Sequence, residues 1–204
     1  YTFAEIAAEL ALETHGIDVL ETATLCRNPR GGASGVTMGS TASIIELVRA
    51  DQFYLWEKQL VAHPKDACFN VVDPNFLQPV FALPWGGTSL PVFFANDGRV
   101  RSIVSSLGFY DAPVMAMVHG LTQKWEAEYR HLPKAQQDAV IKQIVESTTP
   151  TMPPRERTTT MRTVDFAIGR GQLAAVRATV HGITAYISTG ALQVAAVMKL
   201  LDGD

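Results

Sequence analysis

Pro91-Val92-Phe93-Phe94-Ala95-Asn96-Asp97-Gly98-Arg99-Val100-Arg101-Ser102-Ile103-Val104 is the stretch on which the fold class turns. Asn96-Asp97-Gly98 has the composition of a tight turn, with Gly98 free to take positive φ. The flanks, Val92 to Phe94 and Val100 to Val104, are β-branched and aromatic, so the stretch predicts an antiparallel hairpin. Alternation on the second flank is imperfect and does not say which side faces inward. A second β-rich region, 158–187, predicts strands at Thr160–Ile168 and Gln172–Val180, joined at Gly169-Arg170-Gly171. A further strand is expected at Ile183–Ile187, then a closing helix at Ala191–Leu201.

Helical signals surround these strands. Thr2-Phe3-Ala4-Glu5 is a capping-box pattern. Phe3, Ile6, Ala7, Leu10 and Ala11 follow at helical spacing up to a natural stop at Gly16, predicting a helix over 3–15. Residues 17–26 suit strand and helix alike. A second helix is expected from Ser40 or Thr41, with Ile44, Leu47, Val48, Tyr54 and Leu55 inward, ending at His63-Pro64. Asp111 as N-cap and Pro113 in the first turn open a third helix. It runs to Pro133, and a fourth from Lys134 to Ser147 completes a helical hairpin. The expected fold is therefore α+β: antiparallel sheet elements, N-terminal helices, a central helical hairpin and a C-terminal helix. It forms one domain over 1–204, with a candidate internal linker at 147–160 that is rich in Pro and Thr.

Charged residues make up 18% of the 204 and hydrophobic ones 47%. A typical soluble domain carries about 25% Asp, Glu, Lys and Arg. Few charges leave little to solvate the exterior, which predicts surface buried against protein partners or other copies of the chain. The net charge of −3 and pI of 6.0 supply no bulk attraction for nucleic acid or anionic membranes. Residues 74–96 are uncharged but broken by four prolines, so they cannot span a membrane as a regular helix. Residues 178–198 read as a strand followed by a helix. Cys26 and Cys68 read as two buried thiols acting as small apolar groups. Nothing near Tyr1 has the pattern of a retained signal peptide, which leaves open N-terminal processing.

Chemistry is sparsely signalled. The Arg27–Thr41 segment is glycine-rich and runs into a helix start. Arg27, Arg30, Gly31, Gly32, Ser40 and Thr41 are its candidate anion-binding residues, through backbone amides and guanidinium groups. It lacks a Walker lysine, and a surface loop with an ordinary N-cap is the simpler and favoured reading. The five histidines have no partner at metal-ligand spacing, so no metal and no cofactor are indicated. His119, in mid-helix, is a candidate base only if it meets the 27–41 loop in one cleft. Arg155, Arg157 and Arg162 are diluted by Glu156 as a nucleic-acid contact. Phe81, Trp85, Phe93 and Phe94, in a charge-poor region, are the candidate interface aromatics. The expected function is a non-enzymatic structural or accessory subunit of a larger assembly, such as a virion, secretion apparatus or organellar complex. The alternative is a small enzyme or ligand-binding domain acting on an anionic substrate through the 27–41 loop.

Overall fold

A computed structural model describes residues 2–27, 38–84, 88–147 and 161–203. Helix α1 (Thr2–Leu12) leads through Gly16, at φ +84°, into strand β1 (Ile17–Arg27). Helix α2 (Met38–Arg49) precedes two short hairpins, β2 (Phe53–Trp56) with β3 (Gln59–Ala62) and β4 (Phe69–Val72) with β5 (Pro79–Leu83). Then come α3 (Ser89–Phe94), β6 (Ser102–Phe109) and α4 (Ala112–Lys124). Helix α4 continues as a π-helical turn over Trp125–Tyr129, and α5 (Lys134–Ser147) follows. Strands β7 (Arg162–Gly171) and β8 (Ala175–Ile183) and helix α6 (Ala185–Asp202) complete the described chain. The fold is α+β.

One mixed sheet organises it, in the order β3-β2-β6-β1-β7-β8, with β4-β5 branching from β6. β1 pairs parallel to β6 and antiparallel to β7; the other pairings are antiparallel. The registers stack rows across one face. Leu20 lies beside Ile103 and Gly169, Thr22 beside Ser105 and Ala167, Thr24 beside Leu107 and Asp165, and Cys26 beside Phe109 and Thr163. Helix α1 packs on β7, β8 and β1 with Ala4, Ala7, Ala8 and Ala11, all buried. Small side chains let helix and sheet approach closely, and Gly182 is one of the tight spots. A Cβ there would sit 2.2 Å from Thr163 Oγ1 and 3.0 Å from the Phe3 ring. A second apolar cluster joins α2, α4 and α5 to Leu83 and Leu107, around the buried Trp125. A third, with Leu25, Val71, Val80 and Phe166, lies where the β4-β5 hairpin joins β1 and β7.

Several sequence expectations change. Gly169-Arg170-Gly171 is not the turn between the last two strands but the end of β7, and the chain turns at 172–174. The 92–104 hairpin does not form: Val92 to Phe94 belong to α3, and only 102–104 is strand, the start of β6. Leu90, Pro91 and Phe94 are buried as one helical face. Asp97 closes the turn by accepting from the Arg99 amide (2.8 Å) and guanidinium, so no residue needs positive φ. A Cβ added at Gly98 would meet nothing within 4 Å. A Gly98→Val change is therefore unstrained. The second helix stops at Arg49, because Phe53 to Ala62 folds back as a hairpin through Glu57 and Lys58, at φ 47° and 66°. Residues 183–187 are not a strand: β8 ends at Ile183 and Thr184 turns the chain into α6. Helices before and after Pro133 are present, α5 packing on α2, although Asp111 makes no side-chain cap. The linker beyond Ser147 lies outside the described residues.

Candidate functional site

Arg27 closes β1, and its guanidinium sits 4.4 Å from the Phe76 ring centroid and 5.6 Å from that of Tyr110. Tyr110, just past β6, donates to the fully buried Asp73. The same carboxylate accepts from the amides of Asn75 (2.6 Å) and Phe76 (3.1 Å). Burial, then the bond to Asp73, pushes the Tyr110 phenol above its ordinary value. The ends of β1 and β6 and the β4-β5 turn are thus tied together, and Arg27 is held against aromatic faces. Arg30, Gly31 and Gly32 lie outside the described residues; Ser40 is in the first turn of α2, and Thr41 is buried. His119 lines a recess of about 40 Å³ with Leu47 and Val48 from the far half of α2, not its start. His63 shares that recess; its Nε2 is buried without a partner, and burial lowers its pKa. His15 is exposed in the turn after α1. Of the arginines considered for nucleic acid, Arg162 starts β7, and Arg155 and Arg157 lie outside the described residues.

The four interface aromatics separate. Phe94 is 0% exposed and belongs to this domain's own core. Phe81 packs against the cluster around Trp125, edge-on to His119. Phe93 is 55% exposed, against the edge of Phe94. Trp85 lies outside the described residues.

The largest run of exposed apolar side chains is elsewhere, on α6. Val194 is 64% exposed and Leu201 78%, with Ile187, Val197, Met198 and Leu200 also exposed. The helix meets its own domain mainly through its first turns. Ser188 is buried and donates to the Ile183 carbonyl, and Leu192 is half-buried. Other exposed apolar groups are scattered: Trp56 and Leu60 on the β2-β3 hairpin, and Phe76 and Leu77 on the β4-β5 turn. Among the described residues, no helix is long and apolar enough to cross a membrane.

Two further places carry polar groups. On the helix-covered face of the sheet, Thr22 and Ser105 share a hydrogen bond of 2.7 Å, and Thr24 donates to Asp165 Oδ1 at 2.6 Å. Asp165 Oδ2 and the hydroxyls of Thr163 and Thr184 are buried without a well-formed bond. Desolvation raises the Asp165 carboxyl above its ordinary value, against weaker opposing pulls from Thr24 and Thr163. Cys26, beside it, is pushed up to about 12, chiefly by burial and then by Asp165. A thiol held protonated is a poor nucleophile. On the opposite face, a cleft of about 480 Å³ opens between β4 and the strands β1, β6 and β7. Asn70, Ser106 and Cys68 line it, as does the ion pair of Arg170 with Glu21 (2.9 Å). Among the described residues, no three His, Cys, Asp or Glu side chains gather where they could hold a metal.

Sequence reasoning placed the closing helix at Ala191–Leu201 but missed its start at Ala185, and it missed Asp165. Reading 183–187 as strand hid the first turn of an apolar helix face. Asp165 stands between Val164 and Phe166 on the opposite side of an alternating strand from its neighbours. A lone carboxylate in an apolar strand was the available signal.

The whole described chain falls within one family match. Residues 2–204 fit the model of a family described as a family of unknown function, DUF5938, and the chain belongs to that family. No curated protein matches it.

Proposed function

We propose that this protein is a non-enzymatic structural or accessory subunit of a larger protein assembly. The observation that carries the reading is α6, an 18-residue helix whose outer apolar side chains are left in water by their own domain. Contiguous exposed apolar surface of that kind is characteristic of interaction sites. The low charge content points the same way. The test is the native mass of the protein in extract from its source, by size-exclusion light scattering and native mass spectrometry. A particle heavier than one subunit, whose mass is read from the same sample after denaturation, supports the reading; a free monomer overturns it.

A second reading is a small ligand-binding domain or enzyme acting on an anionic substrate. The sheet-face cleft favours it, since its volume is in the range of small-molecule sites and Arg170 lies at its edge. The 27–41 segment is the other element of this reading. Phosphate or sulfate should then raise the melting temperature with occupancy. Arg30→Ala should abolish the shift if the 27–41 segment binds the anion, and Arg170→Ala if the cleft does. No shift at saturating anion removes this reading.

A further inference from the structure

His63 follows β3 and touches both short hairpins. Its backbone amide donates to the Gln52 carbonyl at 2.8 Å, across the mouth of β2-β3. Its ring lies 4.7 Å from that of Tyr54, in β2, and 5.9 Å, edge-on, from that of Phe69, the first residue of β4. Phe69 and its neighbour Cys68 also line the sheet-face cleft. One imidazole therefore braces the β4 wall of that cleft against the β2-β3 hairpin. The ring lines the recess of about 40 Å³, and its buried Nε2 has no partner among the described residues.

The surroundings suit a neutral ring and not a charged one. No Asp or Glu lines the recess; the titratable groups there besides His63 are Lys65, from the loop after β3, and His119, from α4. Tyr54 and Phe69 add aromatic surface. The acids beyond Lys65 are engaged: Asp51 and Glu126 each pair with both Lys65 and Arg130. Gln52 donates to the Leu47 carbonyl and accepts from Thr88, and Thr122 donates to the Val118 carbonyl. A proton on His63 would put a second cation beside Lys65, half out of water, with no carboxylate facing it. Burial accordingly holds the His63 pKa below the ordinary histidine value.

We propose that His63 is an acid-sensitive latch: neutral, it holds Phe69 and the β4 wall of the cleft in place; protonated, it leaves the recess and lets residues 63–69 open. Such a latch goes beyond the assembly and ligand readings and depends on neither. The closed state takes up the His63 proton less readily than the open one. Closure is therefore complete above the ordinary histidine pKa of about 6.5 and weakens as pH falls through it. A single proton makes opening grow by up to about tenfold per pH unit, until the folded pKa is reached.

The experiment is hydrogen–deuterium exchange of the purified chain between about pH 8 and about pH 5, corrected for the intrinsic pH dependence of exchange and read beside an NMR titration of the histidine rings. His63 is expected to titrate below the ordinary range. Protection of the His63 and Ala67 amides, bonded to the Gln52 and Pro64 carbonyls, is expected to fall by up to about tenfold per pH unit below about pH 6.5, while β1 and β7 hold theirs. His63→Phe keeps a ring between Tyr54 and Phe69 that cannot take a proton, and should abolish the pH dependence. His119→Gln changes the other histidine of the recess and should preserve it. Titration of His63 at or above the ordinary value, or constant protection of 63–69, overturns the proposal. So does a pH dependence that survives His63→Phe or disappears in His119→Gln. If His63→Phe fails to fold, the titration and exchange of the natural chain decide alone.

Discussion

Gly182→Ala is the sharpest test of how α1 is seated. Gly182 stands in register with Thr163, and an added methyl would lie 2.2 Å from Thr163 Oγ1 and 3.0–3.1 Å from two ring carbons of Phe3. The first distance is well inside van der Waals contact, so Thr163 or the strand must move. The second requires the ring to give by a few tenths of an ångström, which lifts the first turn of α1. Overpacking of this kind costs about 1–3 kcal/mol. For a chain of this size that corresponds to a fall in melting temperature of roughly 2–4 °C per kcal/mol. Thr163→Ala should be close to neutral, because its hydroxyl is buried without a good partner and its loss relieves a desolvation cost. In that background Gly182→Ala should cost less, by about 1 kcal/mol of coupling in a double-mutant cycle read by urea denaturation. If Gly182→Ala is neutral alone, or costs the same with and without the Thr163 hydroxyl, the close approach of strand and helix described here is wrong.

Other outcomes follow from single features. Asp165 has a raised pKa in the fold, so the folded state holds its proton to higher pH than the unfolded chain does. Stability from this group is therefore full below the ordinary carboxylate range and is lost as pH rises through the folded pKa. Asp165→Asn should flatten that fall and raise the melting temperature at neutral pH; a steeper fall would contradict the assignment. Tyr110→Phe removes a donor from the buried Asp73 and should cost about 1–3 kcal/mol, measured by denaturant titration. Phe94→Ala should cost about 3–5 kcal/mol as a core truncation, whereas Phe93→Ala, at an exposed position, should fall within about 0.5 kcal/mol.

The helices were legible where caps and apolar period agreed, as at α1 with its Gly16 stop and at the pair around Pro133. The α+β class followed from β-rich stretches even though the stretch with the clearest hairpin pattern is not one. There, Leu90, Pro91 and Phe94 found a buried helical face. The Asp97 side chain closed the turn locally, so the Asn-Asp-Gly signal was satisfied without strands on both sides. The β2-β3 hairpin was hidden for the converse reason: Glu57 and Lys58 take positive φ without glycine or asparagine to announce it. Pairing of β1 with β6 joins segments some eighty residues apart, and no local pattern encodes such a contact. The interface expectation looked for exposed apolar side chains in the middle segment. Phe94 is core and Phe81 packs inside, while α6 carries the exposed apolar face.

The measurement that bears most directly on this account is the native mass of the protein from its source, compared between the natural chain and Val194→Glu. An assembly subunit working through α6 predicts a particle heavier than its own denatured subunit that loses mass on Val194→Glu while the subunit stays folded. A free monomer in both cases, or a heavy particle unchanged by the substitution, would contradict it.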